Sequence, residues 1–154
     1  MKILVCLDLS DSTEVILKKI EELCQPLKAK VWLLHNAMPE PETIEFKVDP
    51  IEARESLTKK FHHQHRQIQE LAEQFRKSGI DATALLVHGK TVDAILTEAS
   101  DLDIDVIVLG SHGHGSMYQL LVGSISEGVL HRSCLLYTSP SPLDFKYDLV
   151  FRLL

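Results

Sequence analysis

Basic residues are in the minority: 16 Lys and Arg stand against 22 Asp and Glu, for a formal net charge of -6. With no long basic run, electrostatics give no support to nucleic-acid binding. Cysteine is scarce and odd in number, at positions 6, 24 and 134, with no C-x-x-C spacing. That argues against a disulfide framework and for buried free thiols. No apolar run reaches bilayer-spanning length, so no membrane association is expected. Met1-Lys2 runs straight into a strand pattern, without a basic n-region, long apolar core or cleavage site. A reducing cytoplasm is the expected setting.

What remains is an ordinary globular composition, 45% hydrophobic and 25% charged over 154 residues. One domain with a proper core fits that length. The unbroken apolar run at 3–7 reads as a strand covered on both faces, 31–34 as a second buried strand, and 82–87 and the dense apolar run at 104–109 as the third and fourth. Between them lie helical patterns. Val15, Ile16, Ile20 and Leu23 mark the first, which follows the cap candidates Ser10-Asp11-Ser12 and ends at Pro26. A long amphipathic helix is predicted over 51–78, striped by Leu57, Phe61, Ile68, Leu71, Ala72 and Phe75 and closed by Gly79. Shorter helices are predicted over 91–99 and after Ser124. The proline-marked stretch from Met38 to about Pro50 reads as an irregular loop. Strands alternating with helices predict an α/β fold, an open parallel sheet between two helical layers. In such sheets ligands bind beyond the carboxyl ends of the strands. Asp8, His35, Val87-His88 and the glycines after Leu109 all follow such ends.

Those glycines carry the strongest signal. Gly110-Ser-His-Gly113 is followed, after nine residues, by Gly123-Ser124, a G-x2-G-x9-G-[S/T] pattern at the end of the fourth strand. Glycines at 110, 113, 115 and 123 let backbone N–H groups converge on an anion, and a helix starting near Ser124 adds its N-terminal donors. Together with Val5-Cys6-Leu7-Asp8-Leu9-Ser10, Leu33-Leu34-His35 and Val87-His88-Gly89, this loop resembles the ATP-binding members of the universal stress protein family, over residues 1 to about 134. The resemblance implies a three-layer, Rossmann-like α/β/α sheet of the adenine nucleotide alpha hydrolase-like kind. It implies a stress-response module that binds ATP, ADP or AMP, with or without Mg2+, and acts through nucleotide-dependent conformation or partner choice.

By the same resemblance Leu7, Asp8, Ser10 and Asn36 line the adenine and ribose side, and Val87 offers backbone groups to the adenine edge. Leu109 and Gly110 flank the ribose. Gly113, His114, Gly123, Ser124 and Ile125 surround the phosphates. Asn36 departs from the small aliphatic residue often found there, and His114 stands where many relatives carry Arg or Lys. His112 and His114 read either as phosphate partners or as exposed loop residues. Asp8 and Ser10 also suit a plain turn and helix cap.

No catalytic constellation is expected. The chain lacks the G-x-x-x-x-G-K-[ST] and G-x-S-x-G signatures, and Asp8, Ser10 and Ser124 have no evident base beside them. Weak ATP hydrolysis is the most that they suggest; a ligand-free interaction protein is the remaining alternative. His62 and His65 share a helix face, but two imidazoles without a third ligand make a poor zinc site, so a solvated face is expected.

Beyond Cys134 the sequence changes character, with Pro140 and Pro142 where the resemblance implies a valine-rich final strand. A nucleotide-binding domain over 1–138 and a divergent tail over 139–154 are expected, with an altered or missing last strand. The change has the look of a divergent or artefactual end, as a shift of reading frame would produce. Homodimers, which in the family pair through that strand, are expected less firmly here because proline cannot donate to a ladder.

Overall fold

Strand β1 (Lys2–Cys6) carries Ile3, Leu4 and Val5 in succession, each wholly buried, so apolar layers must cover both of its faces. The computed structural model describes residues 1–10, 13–37, 50–110, 124–132, 137–138 and 149–153. After β1 come α1 (Thr13–Leu27), β2 (Lys30–Asn36), α2 (Pro50–Lys77), β3 (Asp81–Val87) and α3 (Thr91–Asp101). They are followed by β4 (Val106–Gly110), α4 (Ser124–Arg132), β5 (Tyr137–Thr138) and β6 (Leu149–Leu153).

The strand order is β3-β2-β1-β4-β6-β5. Strands β1 to β4 are parallel, with Cys6 level with both Leu34 and Leu109, and Asn36 level with Val87. Alternate residues along each strand divide between two cores. Ile3, Val5, Val31, Leu33, Ala82, Val106 and Val108 pack under Ile16, Leu17 and Ile20 of α1 and Ile68, Ala72 and Phe75 of α2. Leu4, Trp32, Leu34, Ile107 and Leu109 pack under Ile95 and Ala99 of α3 and Val129 of α4. The fold is thus the expected α/β/α sandwich.

The last strand is altered, as anticipated, and the manner is specific. Strand β6 runs antiparallel to β4, Gly110 pairing with Leu149 and Val106 with Leu153, and β5 adds two residues outside it.

Three helices end alike, which only Gly79 signalled in the sequence. Gly79 (φ +84), Lys28 (φ 47) and Asp103 (φ 50) each take the left-handed conformation. In each case the next amide reaches back five residues: Ile80 to Phe75 O, Ala29 to Cys24 O, and Ile104 to Ala99 O. This corrects the reading of Pro26, which lies inside α1; the helix continues past it and Lys28 turns the chain. Leu57 is a second correction. It falls on the expected stripe but is 45% exposed, because the stripe meets the core only from Ile68 onward.

Cys6 and Cys24 are free thiols. Burial pushes Cys6 up to about 12 and Cys24 up to about 11. A thiol whose folded pKa is raised stabilises the fold fully below the unfolded value, and that stabilisation is lost as the pH rises toward the folded one. Stability should therefore fall from pH about 9 upward. Urea midpoints at pH about 8 and about 10.5 should differ less in a Cys6→Ala, Cys24→Ala chain than in the parent; an equal drop in both would show that the thiols contribute nothing.

Candidate functional site

The parallel strands β1 to β4 end at one edge of the sheet, and the strand order reverses between β1 and β4. A crevice at such a switch point is where an open α/β sheet takes its ligand. The residues expected to contact a ligand divide into those at this edge and those beyond the described segments.

Leu7 follows β1 with its side chain in the core, only 4% exposed. Its N–H donates to Leu34 O (2.8 Å), and its carbonyl lies 2.8 Å from His35 Nδ1. Leu7 can therefore shape the crevice, but its amide is already engaged. Asp8 is exposed, and its Oδ1 accepts from both the N–H (3.0 Å) and the hydroxyl (2.7 Å) of Ser10. This Asx turn holds Leu9 at φ 58, a left-handed conformation that costs a branched residue about 1–2 kcal/mol. The described bonds of Asp8 lie within that turn, while Ser10 O accepts from Thr13 N (3.0 Å) at the start of α1. The turn reading is thus supported for Asp8, and the carboxylate stays at the crevice mouth.

Asn36, whose polarity stood out in the sequence, turns its amide onto the β3–α3 connection. Nδ2 donates to Gly89 O (2.9 Å) and to Thr91 Oγ1 (2.7 Å). Val87 lies beside it, and the Val87 carbonyl accepts from Ala37 N (2.9 Å). An adenine edge would have to share that acceptor. Leu109 is buried, Gly110 closes β4, and Ser124 opens α4, whose next residue, Ile125, is 41% exposed. Gly113, His114 and Gly123 lie outside the described residues, as does His112.

Val87-His88-Gly89 lies at this edge, where the sequence put it; Thr13 and Thr91 are parts of the edge that sequence reasoning missed. His88 stacks on Phe61 of α2 (centroids 5.0 Å apart) with Nδ1 3.2 Å from Ala37 O. His62, His63 and His65 are exposed, with the rings of His62 and His65 against Phe61. Among the described residues no group of three or more His, Cys, Asp or Glu is placed to hold a metal ion.

Among the described residues, three buried side-chain atoms lack a hydrogen-bond partner: Thr13 Oγ1, His35 Nε2 and Asn36 Oδ1. All belong to segments at this edge, the end of β2 and the first turn of α1. Each unsatisfied group costs about 1–3 kcal/mol, and such groups concentrate where a fold serves a function. Among the described residues no helix is long and apolar enough to cross a membrane.

Comparison with known proteins gives the relationship. The sequence profile of the universal stress protein family matches residues 1–134. A universal stress protein of Methanocaldococcus jannaschii is 25% identical, the match covering 86% of this chain and 89% of the relative. Among solved structures, universal stress protein UspA from Lactobacillus plantarum superimposes with a TM-score of 0.70 at 22% identity, over 87% of this chain and 92% of that one. The universal stress protein from Archaeoglobus fulgidus, solved in complex with dAMP, gives 0.55 at 23% identity, over 87% and 92%. The glycine pattern, the strand order and these matches agree: the chain belongs to the universal stress protein family.

Proposed function

We propose that this protein is an adenine-nucleotide-binding stress-response module, using ATP, ADP or AMP to set its conformation or choice of partner. The observation that carries the reading is the polar, partly unsatisfied edge where β1, β2 and β3 end beside β4. A dAMP-bound relative of the same fold supports it. In this reading Leu7, Asp8, Ser10, Asn36 and Val87 flank base and ribose, with Leu109 and Gly110 beyond them. Gly113, His114, Gly123, Ser124 and Ile125 take the phosphates, where glycine amides and the α4 N-terminus supply donors. A divalent ion such as Mg2+ would be carried by the phosphates. Residues 1–138 form the nucleotide-binding domain and 139–154 the divergent tail. Free thiols suit a cytoplasmic setting.

Native mass spectrometry of freshly purified protein, followed by calorimetry with AMP and ATP, tests this directly. An adenylate should co-purify or bind, and Gly113→Val, which fills the loop, should lower affinity by at least about tenfold. No heat with either nucleotide from folded protein would sink the reading in favour of a ligand-free interaction protein. Turnover of Mg-ATP that is lost in Gly113→Val would point instead to a weak ATPase. The same spectrum counts subunits and so tests for a homodimer.

A further inference from the structure

The last two residues of β2 engage the chain on both sides of that strand, through side chains on opposite faces. Val31 and Leu33 enter the core under α1 and α2, whereas Trp32 and Leu34 enter the other. Alternation therefore sends His35 toward α1 and Asn36 toward α3. His35, 94% buried (6% exposed), places Nδ1 2.8 Å from Leu7 O, the residue that opens the Asp8–Ser10 turn. A carbonyl can only accept, so Nδ1 is the donor in this contact. Asn36 Nδ2 donates to Gly89 O and Thr91 Oγ1, fixing the turn that follows Val87. Gly89 in that turn has φ +111, a conformation closed to most side chains.

We infer that His35 and Asn36 are a paired positioning device: His35 fixes the β1–α1 turn and Asn36 the β3–α3 turn, so the end of β2 sets the separation of the two crevice walls. The unsatisfied atoms are consistent with this. His35 Nε2 and Asn36 Oδ1 are buried without partners, so neither ring nor amide is placed to satisfy every polar atom. Their orientation is dictated by the contacts to Leu7, Gly89 and Thr91. The consequence for binding rests on the nucleotide reading above; the consequence for the two turns does not.

His35→Asn keeps a nitrogen donor near the position of Nδ1, whereas His35→Gln moves it toward the position of Nε2. Asn36→Leu removes both N–H donors and the unsatisfied oxygen while keeping the branch at Cγ. AMP binding by calorimetry, thermal midpoints, and amide hydrogen exchange at Ser10 and Ala94 should be measured for all three and the parent. His35→Asn should bind within about twofold of the parent, while His35→Gln and Asn36→Leu should each bind about fivefold or more weakly. Exchange should quicken at Ser10 in His35→Gln and, in Asn36→Leu, at Ala94, whose N–H donates to Lys90 O in the first turn of α3, in each case beyond any change in global stability. A purely structural role predicts instead that affinity and exchange follow the thermal midpoint in every variant, and that outcome overturns the proposal. If the parent binds no AMP, the nucleotide reading fails, and exchange alone decides: local quickening upholds the device, and unchanged exchange removes it.

Discussion

Leu33→Ala should lower the unfolding free energy by about 3–5 kcal/mol, a large share of what a domain of this size has. Leu33 is fully buried at the centre of β2, level with Val5 on one side and Ala84 on the other. Helices cover its face of the sheet, so the space left by an isobutyl group has little freedom to collapse. Leu57→Ala supplies the contrast. Its side chain is 45% exposed, and its loss should cost less than about 0.5 kcal/mol. Urea denaturation with a common slope measures both. Equal costs would mean that the first turns of α2 pack against something as firmly as β2 does. A cost below about 1 kcal/mol for Leu33→Ala would contradict the burial of the central strand.

That contrast also marks what could be read from the residues. Period and apolarity located the four parallel strands and four helices because β1, β2 and β4 are buried on both faces, the edge strand β3 is half-buried, and each helix buries one side. The same period put Leu57 in the stripe, since periodicity records which side of a helix is apolar but not how far the sheet extends beneath it. Gly79 announced its helix end; Lys28 and Asp103 did not, because their left-handed turns are imposed by bonds to Cys24 and Ala99 rather than by side-chain preference. The candidate site shows a similar division. Spacing found Asp8, Asn36 and Val87 as neighbours at strand ends, because strand ends align in a parallel sheet. It could not show that Asn36 faces Gly89 and Thr91, since that depends on register with β3 and on where α3 begins.

Gly128→Val should cost about 2–3 kcal/mol in stability and loosen the proposed nucleotide site along with it. Gly128 lies in α4 where that helix meets α3, and a Cβ there would come within 2.8 Å of Val92 Cγ2. Val92 is branched at Cβ and has one strongly preferred rotamer in a helix, so it yields only if α3 and α4 move apart. Arg132 pairs with Asp93 across the same contact, and Val129 is wholly buried beside it, so moving α4 disturbs the core as well as the surface. The helix also carries Ser124 at its first residue. Displacing it shifts the donors proposed to meet the phosphates, and affinity for ATP should fall even where the chain stays folded. Gly128→Ala should be milder, because alanine regains about 1 kcal/mol of helix propensity against a smaller clash. The decisive measurement is the double variant. With Val92→Ala the space reopens, and Gly128→Val should recover at least half of its lost stability and most of its ATP affinity. Strict additivity of the two substitutions would show that α3 and α4 do not meet at these residues, and that the approach of α4 to the crevice is set elsewhere.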